Sequence, residues 1–451
     1  MKIELPEKVN RIIQTLTDAG FEAYAVGGCI RDSLLNRIPD DWDITTSARP
    51  EEVKGLFRRT IDTGIQHGTV TVLIEKETFE VTTYRIDGEY EDSRHPKDVI
   101  FTKSLYEDLR RRDFTINAMA YNEQSGLVDE FRGMEDLKNK IIRAVGNPEE
   151  RFTEDALRIM RAVRFAAQLG YSIESETKAA AKKLAGNLRN ISVERIQTEL
   201  VKLMVSEHPD FLRTAYDIGV TKVVLPEFDR CMETVQNHPH HCYSVGEHTL
   251  TAVRYVKASD YEDKKRLKYI RLALLFHDFG KPETKTTDEN GIDHFHGHAL
   301  ASEEIAGKVL KRLHFDNDTI RTVKILVKYH DYKPAVNPAG VRRAIHKIGE
   351  DNFPLLFPVM EADIHAQSMY LREEKLTYLS QIETIYEKIL LEKDCLSIKD
   401  LAIKGSDLLA AGMQAGPEIG NALQRALDLV LENPASNTTE YLLNYLQEEK
   451  E

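Results

Sequence analysis

Val26-Gly27-Gly28-Cys29-Ile30-Arg31-Asp32, followed shortly by Asp40-Asp41-Trp42-Asp43-Ile44-Thr45, governs the reading of the N-terminal half. Residues i and i+2 of a β-strand point to the same face. A strand through Asp41 and Asp43 therefore presents two carboxylates side by side. Carboxylates that close repel unless a cation lies between them, and hard oxygen ligands suit Mg²⁺. Gly27 and Gly28 let backbone N–H groups approach an anion such as a triphosphate, with Arg31 beside them. An isolated D-x-D is commonly surface decoration. The G-G-x-x-R-D element just upstream gives it a chemistry, metal-dependent nucleotidyl transfer.

Working outward, Thr78-Phe79-Glu80-Val81-Thr82-Thr83-Tyr84-Arg85 is β-branched and aromatic, which predicts a strand. Its Glu80 is the candidate third carboxylate of a two-metal site, in which one ion activates the attacking hydroxyl and the other stabilises the leaving pyrophosphate. Further on stand Arg110-Arg111-Arg112-Asp113-Phe114-Thr115-Ile116-Asn117-Ala118, then Glu154-Asp155-Ala156-Leu157-Arg158 with Arg161 and Arg164, and last Ser192-Val193-Glu194-Arg195-Ile196. Three arginines in a row are costly on a dry surface. Beside a triphosphate they become charge-assisted donors.

These motifs, in this order, resemble the class II tRNA nucleotidyltransferases, a family of CCA-adding enzymes, A-adding enzymes and bacterial poly(A) polymerases. The resemblance covers about the first half of the chain. It implies that Asp41, Asp43 and Glu80 are catalytic, with Mg²⁺ on Asp41 and Asp43. It also implies that Gly28, Arg31, Arg111, Arg112, Asp113, Asn117, Asp155, Arg158, Arg161 and Arg164 bind nucleotide. ATP, CTP and tRNA are the implied partners. One element departs: where the family has an Asp-Pro-Phe-Gly-Gly-type turn, this chain reads Asp129-Glu130-Phe131-Arg132-Gly133, which puts the geometry of that hinge-like turn in question.

The spacing predicts Asp155 and Arg158 as neighbours on one helix face. As a plain ion pair they contribute only about 0.2–0.5 kcal/mol. Base reading is a more demanding use. Cytosine and adenine both present an exocyclic amine donor beside a ring-nitrogen acceptor, whereas guanine and uracil present the opposite polarity. One Asp–Arg pair accepts the first two and leaves buried groups unpaired against the others, which explains how a protein selects nucleotides without a template.

Composition predicts a soluble cytoplasmic enzyme. The four cysteines (Cys29, Cys231, Cys242, Cys395) are widely spaced with no C-x-x-C, which fits a reducing compartment. The N-terminus lacks an apolar signal core, and no run long enough to span a membrane is present. A net charge of −13 argues against a generic nucleic-acid binder, though not against one local basic surface. Arg151–Arg164 and Lys178–Lys183 are the candidates for that surface.

The expected fold class is α+β. A nucleotidyltransferase α/β head with a mixed sheet (1–145) precedes an all-α neck carrying the nucleotide-reading helix (146–215), an HD-type helical body (216–370) and a helical tail (371–451). Within the head, residues 8–18 form an amphipathic helix, and the polar segment 88–103 reads as a mobile loop. Enzymes of the family that add only C-C are described with this loop shortened, so its presence speaks against that restriction.

The body carries a second constellation. His248 opens a helical run, His277-Asp278 follows an apolar stretch, His296, His298 and His330-Asp331 come next, and Asp363 and His365 lie in E-A-D-I-H-A. Imidazoles and carboxylates on separate helices can converge on a divalent metal. Residues 245–365 resemble the HD phosphohydrolase domain. By that match His248, His277, Asp278 and Asp363 are the ligands of a divalent transition metal, and His298 and His330 become ligands only if a second ion binds. His238, His240 and His241 receive no role.

Three readings of function compete. The first is template-independent addition of C, C and A to tRNA 3′ ends, with a metal-dependent phosphohydrolase in the HD domain. The second restricts the transferase to A-addition or poly(A) synthesis. The third is a nucleotide-signalling hydrolase of the alarmone type, in which the HD part comes first rather than second and Asp155, Arg158, Arg161 and Arg164 find no explanation. The motifs favour the first.

Overall fold

A computed structural model describes residues 2–88 and 99–448. The chain divides into two compact units, Met1–Pro226 and Glu227–Glu451. The ten residues inside the expected loop (89–98) lie outside the described residues.

The first unit opens with α1 (Glu7–Asp18), whose Val9, Ile12, Ile13 and Leu16 fall on one helical stripe and are buried. It covers a seven-stranded mixed sheet of β1 (Ala23–Val26), β2 (Asp43–Thr46), β3 (Thr60–Gly64), β4 (Thr69–Ile74), β5 (Glu77–Thr83), β8 (Ala120–Asn122) and β9 (Gly126–Val128), in the order β3-β4-β5-β2-β1-β8-β9. β2 and β5 run parallel and the other pairings are antiparallel. β1 is buried at all four positions, as a central strand covered on both faces must be. A hairpin of β6 (Arg85–Asp87) and β7 (Val99–Phe101) pairs separately, so part of the expected loop is strand. The α/β head and its mixed sheet are as the sequence predicts.

Around the sheet lie α2 (Gly28–Leu34), α3 (Pro50–Leu56), α4 (Leu105–Arg110) and α5 (Gly133–Asn139). Helices follow: α6 (Pro148–Glu154), α7 (Leu157–Leu169), α8 (Ser175–Leu184), α9 (Val193–Met204), α10 (Leu212–Asp217) and α11 (Thr221–Val224), with α12 (Pro226–Glu233) leading into the second unit. The one helix expected to carry both Asp155 and Arg158 is broken between them. Asp155 has extended backbone (φ −140°, ψ 102°) between α6 and α7, so Asp155 and Arg158 do not share a helix face.

The second unit is almost wholly helical. Its body contains α13 (Val245–Tyr255), α14 (Lys264–Phe276), α15 (Lys281–Thr284), α16 (His298–Arg312), α17 (Asn317–Tyr329), α18 (Pro338–Ile348), α19 (Phe353–Ala366) and α20 (Arg372–Glu392). α14 is the most buried, with Leu267 and every residue of Tyr269–Phe276 inside, so its apolar run extends over all faces. Among the described residues no helix is long and apolar enough to cross a membrane.

Candidate active site and a histidine–aspartate cluster

Asp43 is the first residue of β2, opposite Val26 on one neighbour and Glu80 on the other. Residues paired across adjacent strands share a face about 4.8 Å apart, so the Asp43 and Glu80 carboxylates stand together. Asp41 is not on the strand. It lies in the segment entering β2, and the alternation expected of a strand does not place it. It nevertheless acts on Asp43: burial first, then Asp41, with Glu80 adding to them against Arg112, pushes the Asp43 carboxyl up to about 6. Three oxygen-donor side chains gathered at one point form a donor set suited to a hard divalent ion.

Gly27 turns β1 into α2 at φ +88°. A Cβ there would stand 3.2 Å from Arg112 Nη1 and 4.0 Å from Asp43 Oδ2, so a side chain would crowd the Arg112 guanidinium, and the positive φ itself favours glycine. Gly28 begins α2, whose first backbone N–H groups have no acceptor within the helix.

Arg31, Asn117, Asp113 and Arg161, four of the expected nucleotide-binding residues, form one hydrogen-bonded system. Arg31 donates to both oxygens of Asp32 (3.0 and 2.7 Å) and to Asn117 Oδ1 (2.7 Å). Asn117 donates to Asp113 (3.2 Å), and Arg161 donates twice to Asp113 (2.8 and 2.5 Å). Burial opposes charge on Asp113, but Arg161 and Asn117 outweigh it and hold the carboxyl at about 2. Arg111 and Arg112 both reach the buried Asp108 (2.7 and 3.4 Å), and Arg164 reaches Glu199 (2.5 Å).

Asp155 and Arg158 do not pair with each other. Asp155 accepts from Leu157 N (3.0 Å), capping α7, and from Arg195 (2.7 Å). Arg158 donates to Glu154 (2.6 Å) and to the carbonyls of Arg111 (3.0 Å) and Arg151 (3.1 Å). Residues 151–164 thus supply less open basic surface than their composition suggests, since Arg158 and Arg164 are buried. A buried guanidinium needs partners, and the fold provides them. Asp108 and Glu199 escape the sequence reading, because a single acidic residue among helical ones carries no signal of what it faces.

In the second unit the four expected ligands come together. His248 Nε2 lies 3.1 Å from His277 Nε2, 2.9 Å from Asp363 Oδ1 and 3.5 Å from Asp278 Oδ2. His298 and His330 join them: their Nε2 atoms are 3.3 Å apart, and His298 Nε2 is 3.6 Å from Asp278 Oδ1. Two triplets that could hold a metal ion result, His248/His277/Asp363 and Asp278/His298/His330.

Tautomers follow from the other ring nitrogens. The Nδ1 atoms of His248, His277, His298 and His330 lie 3.1, 2.7, 2.9 and 2.7 Å from the carbonyls of Ala366, Leu274, Phe295 and Val327. A carbonyl only accepts, so each Nδ1 carries a hydrogen and each Nε2 is the ring atom turned inward. Carbonyl-anchored imidazoles of this kind are the usual outer support of metal ligands. Local sequence places them: His277 and His330 follow directly on α14 and α17, His298 begins α16, and His248 and Asp363 lie within α13 and α19. His296 and His365 belong to neither triplet.

Comparison with known proteins agrees with the head. A "Poly A polymerase head domain" family model matches residues 23–143, an "RNA and SrmB- binding site of polymerase A" model matches 170–232, and a "tRNA nucleotidyltransferase domain 2" model matches 286–446. The CCA-adding enzyme of Lactobacillus helveticus is 53% identical over 235 residues, covering 51% of this chain and 58% of that protein. The chain thus aligns with little more than half the length of that relative. The CCA-adding enzyme of Levilactobacillus brevis is 36% identical over 427 residues, 94% of each chain. The solved Bacillus stearothermophilus CCA-adding enzyme in complex with CTP superposes with a TM-score of 0.71 at 29% identity, covering 99% of this chain and 98% of that one. Carboxylates on paired strands, the arginine system around Asp113 and a near-full-length relative converge on one statement: the chain belongs to the family of CCA-adding enzymes and poly(A) polymerases.

Proposed function

We propose that this protein adds C, C and A to the 3′ end of tRNA from CTP and ATP, releasing pyrophosphate, without a nucleic-acid template. The observation that carries this reading is the register pairing of Asp43 with Glu80 beside Asp41. Asp41 and Asp43 would hold Mg²⁺, with Glu80 as third donor; bound there, the ion would polarise the attacking hydroxyl and neutralise charge on the leaving group. The 3′ oxygen attacks the α-phosphorus, the bond from that phosphorus to the bridging oxygen breaks, and pyrophosphate leaves. Arg112 faces the triphosphate beside Gly27 and Gly28. Asp155 and Arg158 read the pairing edge, Asp155 accepting from the amine and Arg158 donating to the ring nitrogen. Arg195 and the carbonyls of Arg111 and Arg151 keep both side chains oriented. The relatives' shared name and the CTP complex support this choice over A-addition alone.

The deciding experiment supplies tRNA lacking its 3′ end, tRNA ending in C-C, and each labelled nucleotide in turn. Asp43→Ala is expected to abolish incorporation while leaving the fold intact. Asp155→Ala is expected to admit G and U. Near-normal incorporation by the first variant, or an unchanged preference for C and A in the second, overturns the respective assignment.

A second reading applies to the other unit. We infer that residues 216–370 form an HD-type body and that the histidine–aspartate cluster binds divalent transition metal and hydrolyses phosphoesters. Four inward Nε2 atoms and two carboxylates support it. Changing His277 and Asp278 to Ala is expected to remove metal and hydrolysis while leaving nucleotide addition within about twofold. Elemental analysis and both assays on that variant decide it.

A further inference from the structure

Asp108, on α4, has a wholly buried side chain, and the transfer chemistry leaves it without a task. Its neighbour Leu109 packs in the core with Tyr24, Val26, Tyr84 and Ala120, which fixes the facing of the helix. A carboxylate enclosed in this way is costly unless every oxygen is paired. The two oxygens of Asp108 divide their partners. Oδ1 accepts from Nε (3.0 Å) and Nη2 (2.7 Å) of Arg111. Oδ2 accepts from Thr45 Oγ1 (3.0 Å) and from Arg112 Nη2 (3.4 Å). Burial opposes the charge, but Arg111 and Arg112 outweigh it and hold the carboxyl below its usual range.

Each partner leads to a different part of the site. Thr45 stands two residues after Asp43 on β2, so its side chain shares a strand face with that carboxylate. Arg112 turns its other terminal nitrogen, Nη1, toward Gly27, 3.2 Å from where a Cβ would stand. Arg111 offers its backbone carbonyl to Arg158 Nη2 (3.0 Å), the guanidinium assigned to the ring nitrogen of the base. A plain structural ion pair needs one of these connections. Asp108 makes all three, to the metal strand, the triphosphate side and the base side.

We propose that Asp108 is a positioning residue of the nucleotide site: it holds Arg112 toward the triphosphate and, through Arg111, the carbonyl that aims Arg158 at the base. The proposal rests on the transferase reading. Asp108 itself is enclosed and touches no substrate, so it acts only through these arginines. Grip on the phosphates and choice of base are thereby fixed by one carboxylate, and a change in it disturbs both.

The test uses the full chain, tRNA lacking its 3′ end, and CTP, ATP, GTP and UTP in turn. Asp108→Asn keeps the shape but replaces one acceptor oxygen with an amide donor. It is expected to raise KM for CTP and ATP about tenfold, as loss of a charge-assisted hydrogen bond does, with kcat within about threefold. Incorporation of G and U relative to C is expected to rise about fivefold. A merely structural role lowers the active fraction, and so kcat, while KM and base preference stay as they are; that result overturns the proposal. Thr45→Val keeps a β-branched residue in the strand and removes one neutral donor. It is expected to shift KM in the same direction by about threefold, and it decides alone if Asp108→Asn is recovered unfolded. In an Arg112→Ala background Asp108→Asn is expected to raise KM less than a further twofold, since two changes along one line of contacts do not add, while base preference still loosens. A full tenfold rise there overturns the action through Arg112, and unchanged base preference in every variant overturns the action through Arg111. If wild type adds neither C nor A, the transferase reading falls instead. Equilibrium dialysis of labelled CTP then judges Asp108 by itself: affinity about tenfold weaker in Asp108→Asn sustains the positioning role, and unchanged affinity removes it.

Discussion

Asp43 shows how much one residue's surroundings determine. Its carboxyl is accessible at the surface, yet burial among neighbouring atoms, Asp41 and Glu80 raise it from the usual 3.8 to about 6. Between those values the metal-free folded chain holds a proton that the unfolded chain has released. Stability therefore falls as pH rises through that window, because the folded state binds more protons. Mg²⁺ competes with the same proton. Its stabilising effect, measured as the shift in Tm on adding the ion, is expected to be full at pH 7.5 and to shrink markedly at pH 5. An equal shift at both values removes Asp43 from the ion's ligands. Asp113 is the opposite case: it too is buried, but Arg161 and Asn117 keep it ionised, so it takes part as a fixed charge across the whole neutral range.

At the scale of the element, the turn before α5 bears the chain's departure from its family's pattern. Asp129 accepts from the backbone of Gly133 (2.7 Å) and Met134 (2.9 Å), so it closes the turn and caps the helix without the usual second glycine. Arg132 takes φ +60°, a left-handed conformation that costs a non-glycine residue about 1 kcal/mol or more. Gly133 has no such freedom: a Cβ there would lie 2.4 Å from the Thr115 carbonyl. Gly133→Ala is expected to destabilise by several kcal/mol through that clash, whereas Arg132→Gly should be neutral or stabilising by up to about 1 kcal/mol. Chemical denaturation of both variants checks this, and equal effects refute the distinction.

The same scale shows what was legible. The strand within 78–85 follows from its β-branched and aromatic residues, the first helix follows from its apolar stripe, and the members of the histidine–aspartate cluster stand out by residue type and spacing. The break at Asp155 was not legible, since E-D-A-L-R is good helix sequence. Only the tertiary pull of Arg195, with the capping of Leu157 N, opens the chain there. Arg164 with Glu199 likewise depends on helices distant in sequence, and no local pattern encodes such a partner.

Over the whole molecule, each compact unit has its own charged centre, one built on strand register and the other on helix ends. In the second, Asp278 gives one oxygen to each side: Oδ2 lies near His248 and His277, and Oδ1 near His298. On the proposed metal-binding reading, a second ion would depend on Asp278, whose Oδ2 also lies 2.8 Å from Lys281 Nζ. His298→Ala is expected to halve the metal content by emptying its own triplet, and Asp278→Asn to bring it close to zero; equal losses in the two variants would contradict this. Titrated with a chelator, the wild-type chain should not give up its ions as independent populations. The first departure leaves a carboxylate whose charge now belongs wholly to the ion that stays, so the second ion is released at a higher chelator concentration, and the two steps of the release curve measure how strongly one carboxylate makes its neighbours share.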